Sequence, residues 1–224
     1  MFKGVIFDFN GTLFEDNDLQ IEAWDQILLR YFGRHFKDNE FFTCFCGLGN
    51  TDILDYLNSL DPEKQFDISI TDEKEEIYRA ICRQQPERVK FIPGVIETFD
   101  SLKKAGIVYA IATASEVTNV EFYCEFFHLE RWFKSEHIIY DDRTFPLKPA
   151  PDIYLKAAGR LGLNTSECVV CEDSKNGLLA AIASGAGRVI ARKSSMTHES
   201  VYQSQDIYAV IEDFTKFYPK YLED

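Results

Sequence analysis

Val5-Ile6-Phe7-Asp8-Phe9-Asn10-Gly11-Thr12-Leu13 carries a short apolar run into a carboxylate, then a turn pair, then a hydroxyl. Val, Ile and Phe suit a buried strand, and Gly11 permits a sharp backbone turn. Asp8 is then expected at the carboxyl end of that strand, where open α/β sheets bind ligands. A carboxylate there can be a nucleophile that forms an acyl-phosphate or a ligand for a hard cation. Asn-Gly between apolar stretches is also a hairpin signal, so this stretch alone leaves both readings open.

The rest of the chain supplies the context. Ile107-Val108-Tyr109-Ala110-Ile111-Ala112 reads as a second buried strand that runs into Thr113-Ala114-Ser115. His137-Ile138-Ile139-Tyr140, Cys168-Val169-Val170-Cys171, Arg188-Val189-Ile190-Ala191 and Tyr208-Ala209-Val210 read as further strands. Helical spacing is expected over 14–33, over two short pieces in 38–60 broken at Gly47-Leu48-Gly49-Asn50, and over 71–85 with a start at Thr71. Further helices are expected at 94–105, 116–127, 151–161 and 175–184, with a last one at the carboxyl terminus. Strands alternating with helices imply an α/β fold with a parallel sheet and right-handed crossovers. Residues 15–90 hold no strand signal and read as a helical insertion, leaving 1–14 and 91–224 as the core.

Composition narrows the class. The 224 residues carry a formal net charge of −13, which argues against nucleic-acid and anionic-membrane partners. No apolar run reaches membrane-spanning length and no secretory signal precedes the first strand, so a cytoplasmic protein is expected. Cys44-Phe45-Cys46 and Cys168-Val169-Val170-Cys171 invite a zinc reading. No His lies close to either pair, and residues i and i+3 of a strand face opposite sides, so reduced cysteines are expected instead.

Asp8, Thr113, Glu172 and Asp173 all follow buried-strand signatures, and Lys148 sits in Leu147-Lys148-Pro149-Ala150-Pro151-Asp152 just before a helix. Singly, each has a plainer reading: a strand-end hydroxyl, a surface lysine, a helix start. Together they are the parts of a phosphoryl-transfer site. A carboxylate attacks phosphorus, a hydroxyl and a lysine hold phosphate oxygens, and two further carboxylates hold Mg²⁺.

The chain thereby resembles the haloacid dehalogenase superfamily, and within it the β-phosphoglucomutase and sugar-phosphatase branch. The resemblance rests on Phe7-Asp8-Phe9-Asn10-Gly11-Thr12-Leu13, Ile111-Ala112-Thr113-Ala114-Ser115, Leu147-Lys148-Pro149-Ala150-Pro151-Asp152 and Cys171-Glu172-Asp173-Ser174, in the family's order and spacing. It implies a Rossmann-like core with a parallel sheet and an inserted α-helical cap domain. It also implies Asp8 as nucleophile and Mg²⁺ ligand, the Asn10 backbone carbonyl, Glu172 and Asp173 as further ligands, and Thr113 and Lys148 as phosphate-binding groups. Gly11, Thr12, Ala114 and Ser115 then supply backbone donors or hydroxyls near the phosphate.

One residue departs from the family pattern. Phosphatases and mutases of this family carry an Asp acid/base two residues after the nucleophile, and here that position is Asn10. An amide cannot shuttle a proton. The expected activity is therefore a Mg²⁺-dependent phosphatase acting on a small phosphorylated metabolite, a phosphosugar above others, and slowed by Asn10 unless a residue such as Asp16 substitutes. A non-catalytic phospho-ligand-binding or regulatory protein is the alternative. A phosphoglucomutase ranks below both, because Gln20 and Asn50 stand where that branch carries a cap His and Arg. Asp16, Gln20, Gly47 and Asn50 are the candidate cap residues facing substrate, and a monomer is expected.

Overall fold

The computed structural model describes residues 1–45 and 50–223, with backbone alone at Asn50 and Thr51. In chain order the first elements are β1 (Gly4–Phe7), α1 (Asn17–Phe32), α2 (Glu40–Cys44), α3 (Asn50–Leu60) and α4 (Ser69–Gln84). They are followed by α5 (Val95–Ala105), β2 (Val108–Glu116), α6 (Val117–Phe127), β3 (Ile138–Asp141) and α7 (Asp152–Arg160). The remaining elements are β4 (Cys168–Glu172), α8 (Lys175–Ala183), β5 (Arg188–Arg192) and β6 (Ala209–Ile211). None of the described helices is long and apolar enough to cross a membrane.

The strands form one six-stranded sheet in the order β3-β2-β1-β4-β5-β6, and every pairing is parallel. This excludes the hairpin reading of Asn10-Gly11, because β1 has parallel neighbours on both sides. Val5, Ile6 and Phe7 are fully buried, as a strand covered on both faces requires. Phe7 stands in register with Ile111 of β2 and Cys171 of β4. The residues just beyond, Asp8, Thr113, Glu172 and Asp173, therefore share one edge of the sheet.

The chain divides into two compact units, residues 1–15 with 90–224 and residues 16–89. The second is helical. Its α1 buries Leu19, Ala23, Trp24, Ile27 and Leu28, and Gly33 ends it in a left-handed conformation with φ 65°. Trp24 packs against Phe45 with tilted rings, centroids 5.1 Å apart. Glu40 is one of the buried charged residues of this unit, with Asp16 and Lys74. It accepts from Arg34 at 2.7 and 2.6 Å, from the Lys37 backbone at 2.8 Å, and from the Tyr56 hydroxyl.

Two expectations are corrected. Helix α4 begins at Ser69, before Thr71. Asp67 takes the Ser69 N–H at 2.9 Å, while the Thr71 hydroxyl turns back to the Ile68 carbonyl instead of capping. The expected carboxyl-terminal helix is a run of turns from 212 to 223. Phe214, Phe217 and Tyr221 recur at helical spacing, but tertiary anchors decide their conformation. Phe214 and Phe217 pack on Phe7 at 5.9 and 6.0 Å, and Pro219 contributes no N–H to a helix. Arg188, between the rings of Phe2 and Tyr208, donates to the carbonyls of Tyr221 and Glu223 and fixes the end of the chain. Cys44, Cys82, Cys124, Cys168 and Cys171 are free thiols, and Cys46 lies outside the described residues.

The Arg34 guanidinium holds Glu40 well below the usual carboxylate range, at about 2, against the opposing effect of burial. A depressed folded-state value stabilises above the unfolded value near 4.3 and is lost as pH falls towards 2. Glu40→Gln is expected to lower stability by ~1–3 kcal/mol at pH 7. The gap between the two proteins should be much narrower at about pH 2.5 than at pH 7, as read from chemical denaturation. An equal gap at both pH values would contradict the role of the Glu40 charge.

Candidate functional site

The site is built on the carboxyl ends of β1, β2 and β4. Asp8 follows β1 directly, its backbone N–H donating to the Cys171 carbonyl at 2.9 Å, so the strand's ladder itself sets its position. Its Oδ1 accepts from Lys148 Nζ at 2.6 Å and its Oδ2 from Thr12 Oγ1 at 3.0 Å. Lys148 enters from the segment before α7 and also donates to Glu172 Oε1 at 2.7 Å and to the Ala112 carbonyl at 3.2 Å. Glu172 ends β4. Its Oε1 accepts from Tyr154 Oη at 3.2 Å, and its Oε2 from the Ser174 N–H at 2.7 Å and hydroxyl at 3.0 Å. Asp173 Oδ1 lies 3.1 Å from Thr12 Oγ1, whose single proton is thus placed between two carboxylates.

Burial and charge dominate this cluster. Burial pushes Asp8 up to about 7; Lys148 opposes the rise and Glu172 adds to it. Burial raises Asp173 well above the carboxylate range, with Glu172 and Asp8 contributing. Burial works against the charge of Lys148, yet Asp8 and Glu172 outweigh it and keep the ammonium protonated. Ligand oxygens of Asp8, Glu172 and Asp173 lie within 4.8 Å of one another. Asp8, Glu172 and Asp173 form an all-oxygen donor set, which suits a hard divalent cation. The residues present therefore fit Mg²⁺. Among the described residues no cysteine joins a metal-ligating group.

Two glycines make room for the carboxylates. Gly11 has φ 75°, and a Cβ there would lie 2.2 Å from Asp173 Oδ2. In α8, a Cβ on Gly177 would lie 1.6 Å from Glu172 Oε1. The helix can pass this close to the carboxylate only where no side chain intervenes.

Thr113 is buried, and its Oγ1 accepts from the Ser115 N–H at 3.1 Å, while Ala114 is exposed. The Ser115 hydroxyl donates to Asn10 Oδ1 at 3.0 Å, and Asn10 Nδ2 donates to Tyr123 Oη at 2.9 Å. The Asn10 amide is thus oriented from both ends. Asp16 and Gln20 belong to the helical unit. Asp16 Oδ2 accepts from Gln20 Nε2 at 2.9 Å and from Tyr78 Oη at 2.7 Å, and Gln20 Oε1 accepts from Lys74. Gly47 lies outside the described residues, as does the side chain of Asn50.

Tyr123, Tyr154, Arg192 and Ser194 contact these groups without having been singled out in the sequence. Arg192 Nη1 donates to the Gly11 carbonyl at 2.9 Å and to Glu15, bracing the turn after Asp8. The buried Ser194 side chain hydrogen-bonds Asp173. Tyr154 alone carried a usable signal, an aromatic on the first turn of the helix that follows Lys148.

A family model for haloacid dehalogenase-like hydrolases matches residues 5–191. A haloacid dehalogenase hydrolase of family IA, variant 3, from Entamoeba histolytica superposes with a TM-score of 0.88 at 34% identity, over 98% of this chain and 97% of that one. A mutant CbbY from Rhodobacter sphaeroides, solved in complex with xylulose-(1,5)bisphosphate, superposes with a TM-score of 0.80 at 26% identity over 96% of each chain. Hexitol phosphatase A of Escherichia coli is 30% identical over 82% of this chain and 80% of its own length.

Gly177→Ala should displace the Glu172 carboxylate and cost ~1–3 kcal/mol through overpacking. The rise in melting temperature on adding Mg²⁺ should shrink with it. Unchanged stability and an unchanged Mg²⁺ response would show that the close approach of α8 to Glu172 is not required.

Proposed function

The chain belongs to the haloacid dehalogenase-like hydrolase family, and we propose that it hydrolyses a small phosphate monoester, a phosphosugar by class, through an aspartyl-phosphate on Asp8. One observation carries the reading: Lys148 Nζ lies 2.6 Å from Asp8 Oδ1 and 2.7 Å from Glu172 Oε1 within a buried carboxylate cluster. The sugar bisphosphate bound to the CbbY mutant and the phosphatase named among the relatives support the substrate class.

In the proposed reaction an Asp8 carboxylate oxygen attacks phosphorus in line with the ester oxygen. The bond from phosphorus to the leaving oxygen breaks and the aspartyl-phosphate forms. Water then attacks the same phosphorus, the bond to Asp8 breaks, and inorganic phosphate leaves. Lys148 and Thr113 hold phosphate oxygens, with Gly11, Thr12, Ala114 and Ser115 supplying further donors. Asp8, the Asn10 carbonyl, Glu172 and Asp173 would hold Mg²⁺, whose charge when bound offsets the repulsion between carboxylate and phosphate. Residues 15–90 act as a cap domain in this reading, with Asp16, Gln20, Gly47 and Asn50 selecting substrate.

The leaving oxygen must gain a proton, and the attacking water must lose one. Asn10 can do neither, and its amide is already oriented by Ser115 and Tyr123. Good leaving groups, which need no proton, should therefore be turned over best. The same observation favours a second reading, a phospho-ligand-binding protein that does not turn over.

Phosphate release from a panel of phosphosugars and an aryl phosphate, with Mg²⁺, separates the two. Asp8→Asn should abolish release. Asn10→Asp should raise it by ~10²–10⁴-fold if no other residue handles the proton. Full activity in Asp8→Asn would overturn the mechanism, and release by Asn10→Asp alone would favour the binding reading.

A further inference from the structure

All three N–H directions of Lys148 are used by protein acceptors: Asp8 Oδ1, Glu172 Oε1 and the Ala112 carbonyl, at 2.6, 2.7 and 3.2 Å. A lysine that is to hold a phosphate oxygen must therefore redirect one N–H. Giving up Asp8 would remove the positive charge from the nucleophile's oxygen, and the Ala112 contact is the longest and is made to a neutral group. Of the two carboxylate oxygens, Glu172 Oε1 alone has a second donor. Tyr154 Oη lies 3.2 Å from that oxygen, and its ring face lies 5.1 Å from Lys148 Nζ. Tyr154 is fully buried, so no solvent reaches Oε1 from its side.

We propose that Tyr154 is a positioning residue for phosphate binding: its hydroxyl keeps Glu172 Oε1 paired when Lys148 turns an N–H from that oxygen to the phosphate, and its ring holds the ammonium in place during the exchange. This rests on the reading of Lys148 as the phosphate-holding lysine. The physical reason is the penalty for a buried carboxylate oxygen that loses its donor. With Tyr154 present, Glu172 Oε1 loses one of two donors. Without the hydroxyl it loses its only one. The role is specific to the bound state, because Lys148 itself pairs Glu172 Oε1 before the exchange. A merely structural tyrosine would instead matter equally with and without phosphate. The ring acts through cation–π attraction, which reaches to about 6 Å from the ring centroid.

The test uses the full chain with Mg²⁺ and two probes, inorganic phosphate in calorimetry and an aryl phosphate in turnover. Tyr154→Phe keeps the ring and removes the hydroxyl, whereas Tyr154→Leu removes both. Tyr154→Phe is expected to keep the native melting temperature without phosphate and to weaken phosphate binding about tenfold, with a matching rise in KM. Tyr154→Leu is expected to weaken binding further. Native affinity for phosphate in Tyr154→Phe would overturn the proposal. So would a Tyr154→Phe protein that loses melting temperature without phosphate in proportion to its loss of binding, since that is the signature of a structural residue. If the native protein neither binds inorganic phosphate nor turns over the aryl phosphate, the phosphatase reading fails and the proposal falls with it. Failure of Tyr154→Phe alone leaves that reading intact.

Discussion

Three buried carboxyl groups converge at the edge of the sheet with one lysine, and the site depends on that convergence. Lys148 can neutralise one charge, and it bridges Asp8 and Glu172. Asp173 stands beside them, held by Thr12 and Ser194. Bringing like charges together in a low-dielectric interior is unfavourable unless a ligand gains from it. The parallel sheet makes the convergence possible, because β1, β2 and β4 are neighbours and deliver their carboxyl ends side by side. Gly11 and Gly177 then allow backbone to approach Asp173 and Glu172 more closely than any side chain permits.

Asn10 gives the site its particular character. It offers a backbone carbonyl but no ionisable side chain, so the proposed metal-holding function and the proton-handling function come apart at a single residue. Its amide spans Ser115 on β2 and Tyr123 on α6, which ties the turn after Asp8 to the neighbouring strand and helix. A carboxylate at this position would accept from both hydroxyls rather than donate to one. An Asn10→Asp variant would therefore change the direction of the Tyr123 hydrogen bond as well as the acid–base chemistry. Tyr123 is buried and stacked on Phe9 at 4.8 Å.

Much of this was legible in the sequence, for reasons that differ from residue to residue. Val5-Ile6-Phe7 reads as a buried strand because an apolar run of that length, followed by a carboxylate and a turn, has few alternatives in an α/β chain. The family follows from four short stretches in a set order. Tyr123, Arg192 and Ser194 were not legible, because each reaches the cluster from a distant part of the chain and none belongs to a recognisable motif, whereas Tyr154 sits on the first turn of the helix after the Lys148 stretch. The carboxyl terminus misled for the opposite reason. Phe214, Phe217 and Tyr221 have the spacing of a helix face, yet the aromatic contacts with Phe7 and the carbonyls taken by Arg188 set the backbone there. Local pattern decides where no tertiary anchor competes with it.

The account stands on Asp8 as the atom donor to phosphorus. The measurement that reaches this directly is rapid mixing of the native protein and Mg²⁺ with an aryl phosphate, acid quenching, and peptide mass spectrometry. The account predicts a phosphoryl group on Asp8 that accumulates ahead of phosphate release, because Asn10 cannot activate the water that removes it. Steady release of phosphate with no phosphoryl group on Asp8 at any quench time would contradict it.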